Sequence, residues 1–206
     1  MMKGRLIVLM FAVALGFAWA GQAYAQEEHY GNRPWELNVN AGAHFLDTGD
    51  SGAESDTDFG AGARIFMNMP SGLGFGGSFT YVVSNADFDG SDIDINSYLY
   101  SAELAYTFGA GNRLHPFITA GVGAATTKVS DADDLGLDQD SETNLLIPVG
   151  GGIKWFGSSG SWAIRAEVRD NIVSTGDQEF GFDVDSETLN NIEVSGGVSF
   201  LFGGGM

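Results

Sequence analysis

No cysteine occurs among the 206 residues, which excludes disulfide scaffolds, thiolate metal sites and cysteine nucleophiles together. Basic residues are scarce: nine Lys and Arg stand against 27 Asp and Glu. Nucleic-acid binding needs Lys and Arg to displace counterions from phosphates, so that class of partner is excluded. Beyond residue 25 no apolar run approaches the roughly 20 residues of a membrane-spanning helix. Any bilayer crossing in that region must therefore use strands closed into a barrel. The chain also lacks a phosphate-binding glycine loop, a dinucleotide fingerprint and a metal-spaced histidine pair.

What is present starts with an export signal. Lys3 and Arg5 precede the apolar run LIVLMFAVALGFAWA, and Ala23-Tyr24-Ala25 supplies a small-x-small cleavage signature before Gln26. Residues 1–25 are read as a secretory signal peptide, 26–33 as a short N-terminal segment, 34–202 as the folded region and 203–206 as a Gly-rich tail. Taking Lys3 and Arg5 from the nine basic residues leaves seven against 27 acidic ones, a net charge of −20.

Apolar and polar residues then alternate in eight segments: ELNVNAGAHF, FGAGARIFM, LGFGGSFTYV, YLYSAELAYTF, PFITAGVGA, LLIPVGGGIKW, WAIRAEVRDN and IEVSGGVSFLF. Period-two alternation gives each strand two unlike faces. Links after the second, fourth and sixth segments are short, around PSG, GAGNR and GSSGS, while the others are long and rich in Asp, Gly and Ser. An even number of strands of about ten residues, with short turns at one end and long loops at the other, predicts an all-β fold. The expected architecture is an eight-stranded antiparallel up-and-down transmembrane β-barrel.

The polar face decides which side is inside. It carries Glu36, Glu103, Glu167 and Glu193 against Arg64, Lys154, Arg165 and Arg169, whereas the apolar face is read as free of charge. Water-facing strands normally display charge, so the apolar face is assigned to lipid and the charged face to the lumen. An eight-stranded lumen is only wide enough for side chains to fill. The eight groups are therefore expected to form a compensated charge network, with glycines such as Gly76, Gly121 and Gly152 making room. Pairing the last two strands puts Glu193 about level with Glu167 and between Arg165 and Arg169, with Arg64 and Glu103 near the same layer on the opposite wall, and a Glu193–Arg169 pair is expected. Trp35, Tyr106, Phe108, Trp155, Trp162 and Phe202 fall at the short-turn ends and are expected at the membrane interface. Phe45, Phe59, Tyr81 and Tyr98 fall at the other end.

Arg-x-Glu-x-Arg in WAIRAEVRD, Pro-Phe-x-x-x-Gly-x-Gly in HPFITAGVG and the terminal GVSFLF together resemble the OmpA/OmpX-type small outer-membrane β-barrel proteins. The resemblance covers residues 34–202. It implies localisation in the cell outer membrane, contact with outer-membrane lipid and lipopolysaccharide, and Phe202 as the aromatic signal read by barrel-assembly machinery. Only GGGM follows Phe202, so no periplasmic peptidoglycan-binding domain is expected. A monomer is expected.

The three histidines offer little catalysis: His29 lies in the polar start, His115 is placed at a periplasmic turn, and His44 faces the lumen near Asp47 with no adjacent serine. An enzyme is not expected. Acids concentrate instead in the long links, from Asp47 to Asp58, Asp87 to Asp94, Asp131 to Glu142 and Asp170 to Glu187. Asp131, Asp133, Asp138, Asp140 and Glu142 are candidate ligands for loosely bound Ca²⁺ or Mg²⁺, since hard cations want clustered carboxylates. No other cofactor is implied. The sequence therefore points to a structural, envelope-integrity or adhesion-like role with an unidentified extracellular ligand. Two alternatives stand beside it: a narrow channel gated by lumen salt bridges, and a divalent-cation-binding surface protein.

Overall fold

A computed structural model of the protein describes residues 33–47, 57–88, 91–109, 113–129, 141–175 and 187–204. The signal peptide, His29, and Asp131, Asp133, Asp138 and Asp140 lie outside the described residues.

Alternation is realised as eight strands, β1 (Trp35–Asp47), β2 (Thr57–Asn68), β3 (Leu73–Phe88), β4 (Ser91–Thr107), β5 (Leu114–Val129), β6 (Ser141–Phe156), β7 (Trp162–Thr175) and β8 (Glu187–Phe202). Each pairs antiparallel with its sequence neighbours, and β1 closes on β8 with Trp35 opposite Phe202 and Phe45 opposite Ile192, giving a closed barrel. Closure leaves no unpaired edge, which hydrocarbon would not tolerate. The turns 69–72 and 157–161 are tight, and Gly72 (φ 86°) and Gly160 (φ 63°) take the left-handed backbone these reversals need. Pro148 sits inside β6, and the β5–β6 ladder goes from Ala120↔Val149 directly to Gly123↔Leu146, with the two pairs at Pro148 and Ile147 missing. Proline has no N–H to donate. The register on both sides is nevertheless unbroken.

The strands are longer than the sequence alternation suggested. About 9–11 tilted residues cross the hydrocarbon, so the 16 residues of β3, β5, β6 and β8 project past it. The largest correction is at the second long link. Residues 85–88 and 91–94, expected in a loop, continue the β3–β4 ladder through Asn85↔Asp94 and Phe88↔Ser91. Beyond the hydrocarbon both sheet faces meet water, so Asp- and Asn-rich sequence is compatible with strand there.

Two further charges were misplaced by reading the links as loops. Asp58 belongs to β2 and is buried in the lumen opposite His44. Asp170 belongs to β7 on the outward alternation, between Val149 and Ile192. Lys128, also outward, extends over the Tyr98 ring at 5.7 Å. The outward face is thus not free of charge. Asp170 is flanked on its rung by apolar Val149 and Ile192 and is partly buried.

Candidate functional site

The candidate site is the lumen. Glu36 of β1, Arg64 of β2, Glu103 of β4, Lys154 of β6, Arg165, Glu167 and Arg169 of β7, and Glu193 of β8 are all at most 3 % exposed. They meet because each sits on the inward parity of its strand, and because small neighbours admit them. Glu103 is flanked in register by Gly76 and Gly121. A Cβ on Gly121 would lie 2.8 Å from the Glu103 Cγ.

Contacts join the eight groups into one chain. Lys154 Nζ donates to Glu36 Oε2 at 2.7 Å, and Arg165 approaches Glu36 Oε1 at 3.8 Å and Glu167 Oε2 at 2.9 Å. Glu167 also accepts from Arg64 and, at 3.2 Å, from Arg169, so three guanidiniums converge on it. Arg64 continues to Glu193 at 3.2 Å. Arg169 grips Glu103 with two parallel bonds, Nη1 to Oε1 at 2.7 Å and Nη2 to Oε2 at 3.0 Å. Remaining lone pairs are served by neutral donors: Asn68 and Ser199 on Glu36, Ser78, Ser101 and Thr119 on Glu103, and Asn171 on Glu193. Buried carboxylates require such satisfaction.

The expected Glu193–Arg169 pair is corrected. The two are register partners, but Glu193 bonds Arg64 and Asn171 while Arg169 reaches across the lumen to Glu103 on β4. Adjacent inward side chains on neighbouring strands run side by side, whereas long guanidiniums find carboxylates on the far wall of a narrow tube.

Apolar residues on the inward face were not anticipated. The Arg165 guanidinium lies over the Phe117 ring at 4.1 Å and near Phe66 at 6.0 Å, and Lys154 Nζ is 5.4 Å from Phe117. Such stacking suits a weakly hydrated guanidinium. Phe156, Ala163 and Leu201 form an apolar layer at the short-turn end. Val82, Leu99, Ala125 and Leu146, with Val173 against them, form another toward the long-loop end. Strict parity counting would have found them, because Phe117 alternates with Ile118 and Leu146 with Ile147. Classing the inward face as polar concealed them.

His44 is buried, with Nδ1 3.3 Å from Asn191 Oδ1, and its register partners are Asp58 and Glu193. His115 is not at a turn: it is the second residue of β5, fully buried, with its ring edge-on to Phe156 at 4.8 Å. Among the described residues no group of three or more His, Asp or Glu is placed to hold a metal ion. Glu142 is exposed at the outer end of β6 and accepts from Asn144 at 3.0 Å. The six short-turn aromatics share one rim, where Trp155 meets Trp162 edge-on at 6.4 Å, Tyr106 meets Phe108 at 4.9 Å, and Trp35 pairs with Phe202. At the opposite end Tyr81 packs on Tyr98 at 5.2 Å and donates its hydroxyl to Asn96 at 2.5 Å.

A family model described as outer membrane protein beta-barrel domain matches residues 10–202. No curated protein sequence matches the chain. Among solved structures, Neisserial surface protein A is 16 % identical, with a TM-score of 0.64 over 82 % of this chain and 97 % of that one. The outer membrane protein OprG from Pseudomonas aeruginosa is 13 % identical, with a TM-score of 0.51 over 83 % of this chain and 97 % of that one. Likeness at these identities is likeness of fold.

Proposed function

The chain belongs to the outer membrane protein beta-barrel domain family, and from that premise we propose that it is a structural, non-conducting barrel that supports envelope integrity and presents acidic loops for surface interaction. The observation that carries this reading is the filled lumen. The eight charges of its network are at most 3 % exposed and pair with one another, with an apolar cluster on either side along the barrel, and Asp58 is buried opposite His44 beyond them. An ion entering from either end would shed its water against Leu99 and Leu146 or Phe156 and Leu201, and hydrophobic constrictions stop ions by dewetting. It would then have to break paired charges. The gated-channel alternative requires both layers and the network to open together.

Catalysis finds no support at His44, whose Nδ1 faces an amide and whose register neighbours are two carboxylates. In this reading residues 1–25 are a cleaved export signal, Phe202 serves recognition by the assembly machinery, and Asp131, Asp133, Asp138, Asp140 and Glu142 associate loosely with divalent cations among lipopolysaccharide phosphates. The Neisserial relative is named a surface protein, which fits the same placement.

Planar-bilayer recording of the reconstituted protein tests the proposal. Silence is expected at both polarities and in high salt. Steady, charge-selective conductance from the unmodified protein would instead establish the channel.

A further inference from the structure

Outside the lumen the basic residues of the described barrel are few, and two of the three occupy the short-turn rim: Arg33 and Arg113, with Lys128 at the opposite end. Arg33 Nη1 donates to the Ser159 carbonyl oxygen at 3.0 Å, which ties the chain two residues before β1 to the β6–β7 turn. In that turn the Ser159 and Ser161 hydroxyls are 2.6 Å apart. On the other flank Arg113 is exposed, and its carbonyl oxygen accepts from the Phe156 N–H at 2.8 Å, which fixes it beside the end of β6. Trp155 and Trp162 stand between the two arginines, and Trp35 follows Arg33 at the start of β1. Among the described residues neither arginine has a carboxylate within ion-pair distance. The turns MPSG, FGAGNR and GSSGS contain no acid at all.

This is an unusual place on a chain whose residues after the leader carry a net −20. Glu27 and Glu28 precede Arg33 by six and five residues, and the remaining acids lie at the far end of the barrel or inside it. With a screening length of about 8 Å at physiological salt, the repulsion of those remaining acids does not reach this rim. We propose that the arc formed by Arg33, Ser159, Ser161, Arg113 and the three tryptophans binds the phosphate of an anionic phospholipid in the inner leaflet. Guanidinium forks and serine hydroxyls suit phosphate oxygens. Indole rings belong at the glycerol level, where body and N–H find apolar and polar surroundings. The inference rests on the family's membrane placement and is independent of whether the lumen conducts.

The tryptophans provide the readout. With Trp19→Phe substituted, the three that remain of four are Trp35, Trp155 and Trp162, so intrinsic fluorescence reports on this arc alone. The protein is reconstituted in vesicles mixing phosphatidylcholine with phosphatidylglycerol, one of the two brominated in the acyl chain near the head group. Relative quenching gives the lipid preference at these rings. Phosphatidylglycerol is expected to win by about fivefold for each arginine engaged. The preference should vanish in Arg33→Gln/Arg113→Gln, survive largely in Arg33→Lys/Arg113→Lys, and be untouched by Lys128→Gln, with circular dichroism showing the barrel intact in each. Equal quenching by the two lipids in the parent, or an undiminished preference in the double glutamine variant, would overturn the site. So would displacement of the lipid by millimolar glycerol phosphate, which would make the arc a soluble-phosphate site.

Discussion

Glu167→Ala is expected to lower folding stability by about 3–5 kcal/mol, the cost of leaving buried charge uncompensated. The side chain is 1 % exposed and lies within reach of Arg64, Arg165 and Arg169. Its loss leaves each guanidinium with one remaining carboxylate: Glu193 for Arg64, Glu36 for Arg165 at 3.8 Å, and Glu103 for Arg169. Urea titration of refolding in a defined detergent or lipid reads the change as a shift in midpoint. Glu142→Ala is the control, since this exposed carboxylate bonds only Asn144 among the described residues, and the expected change is within about 0.5 kcal/mol. Equal, small effects at the two positions would mean that the lumen holds enough water to solvate three arginines.

Val194→Arg tests the other face of the same wall and is expected to cost about 2–4 kcal/mol. Val194 is 46 % exposed on β8, between Val168 and Ala43 in register, with apolar residues outward on both sides. A guanidinium there meets hydrocarbon. The same substitution at Leu114, exposed at the start of β5 beside Trp155, should cost only about 0–1 kcal/mol because head groups and water are near. The contrast in depth separates lipid contact from general intolerance. Costs independent of depth, in refolding titrations across the two sites, would argue that this surface is not the lipid face.

Which side chains point inward was legible in WAIRAEVRDN before any register was known, because alternation assigns Arg165, Glu167 and Arg169 to one face regardless of pairing. Who bonds whom was not. Arg169 finds Glu103 across the barrel rather than Glu193 beside it, and that choice depends on closure and stagger, which are global properties of the sheet. Strand ends were also hidden. Asp58 and His115 read as link residues beside polar neighbours, yet both belong to strands and face the lumen. Composition marks where the hydrocarbon stops, and hydrogen bonding continues past it. The apolar layers were obscured for a related reason: in a tube this narrow, Leu146 packs with Val82, Leu99 and Ala125, and Phe156 with Ala163 and Leu201, as a soluble core would, although the alternation labels their face polar.

The most direct test of the compensated lumen is a double-mutant cycle on Glu103→Ala and Arg169→Ala, followed by refolding titration. β4 and β7 are not neighbours in the sheet, so the paired bonds of 2.7 and 3.0 Å between these residues span the lumen itself. Each single loss strands a buried charge and the double loss removes both, so the combined cost should fall short of the sum by at least about 1 kcal/mol, within the range for contacting pairs. Losses that add to within about 0.3–0.5 kcal/mol would show the two charges separately hydrated, and the lumen would then be a water-filled passage rather than a closed network.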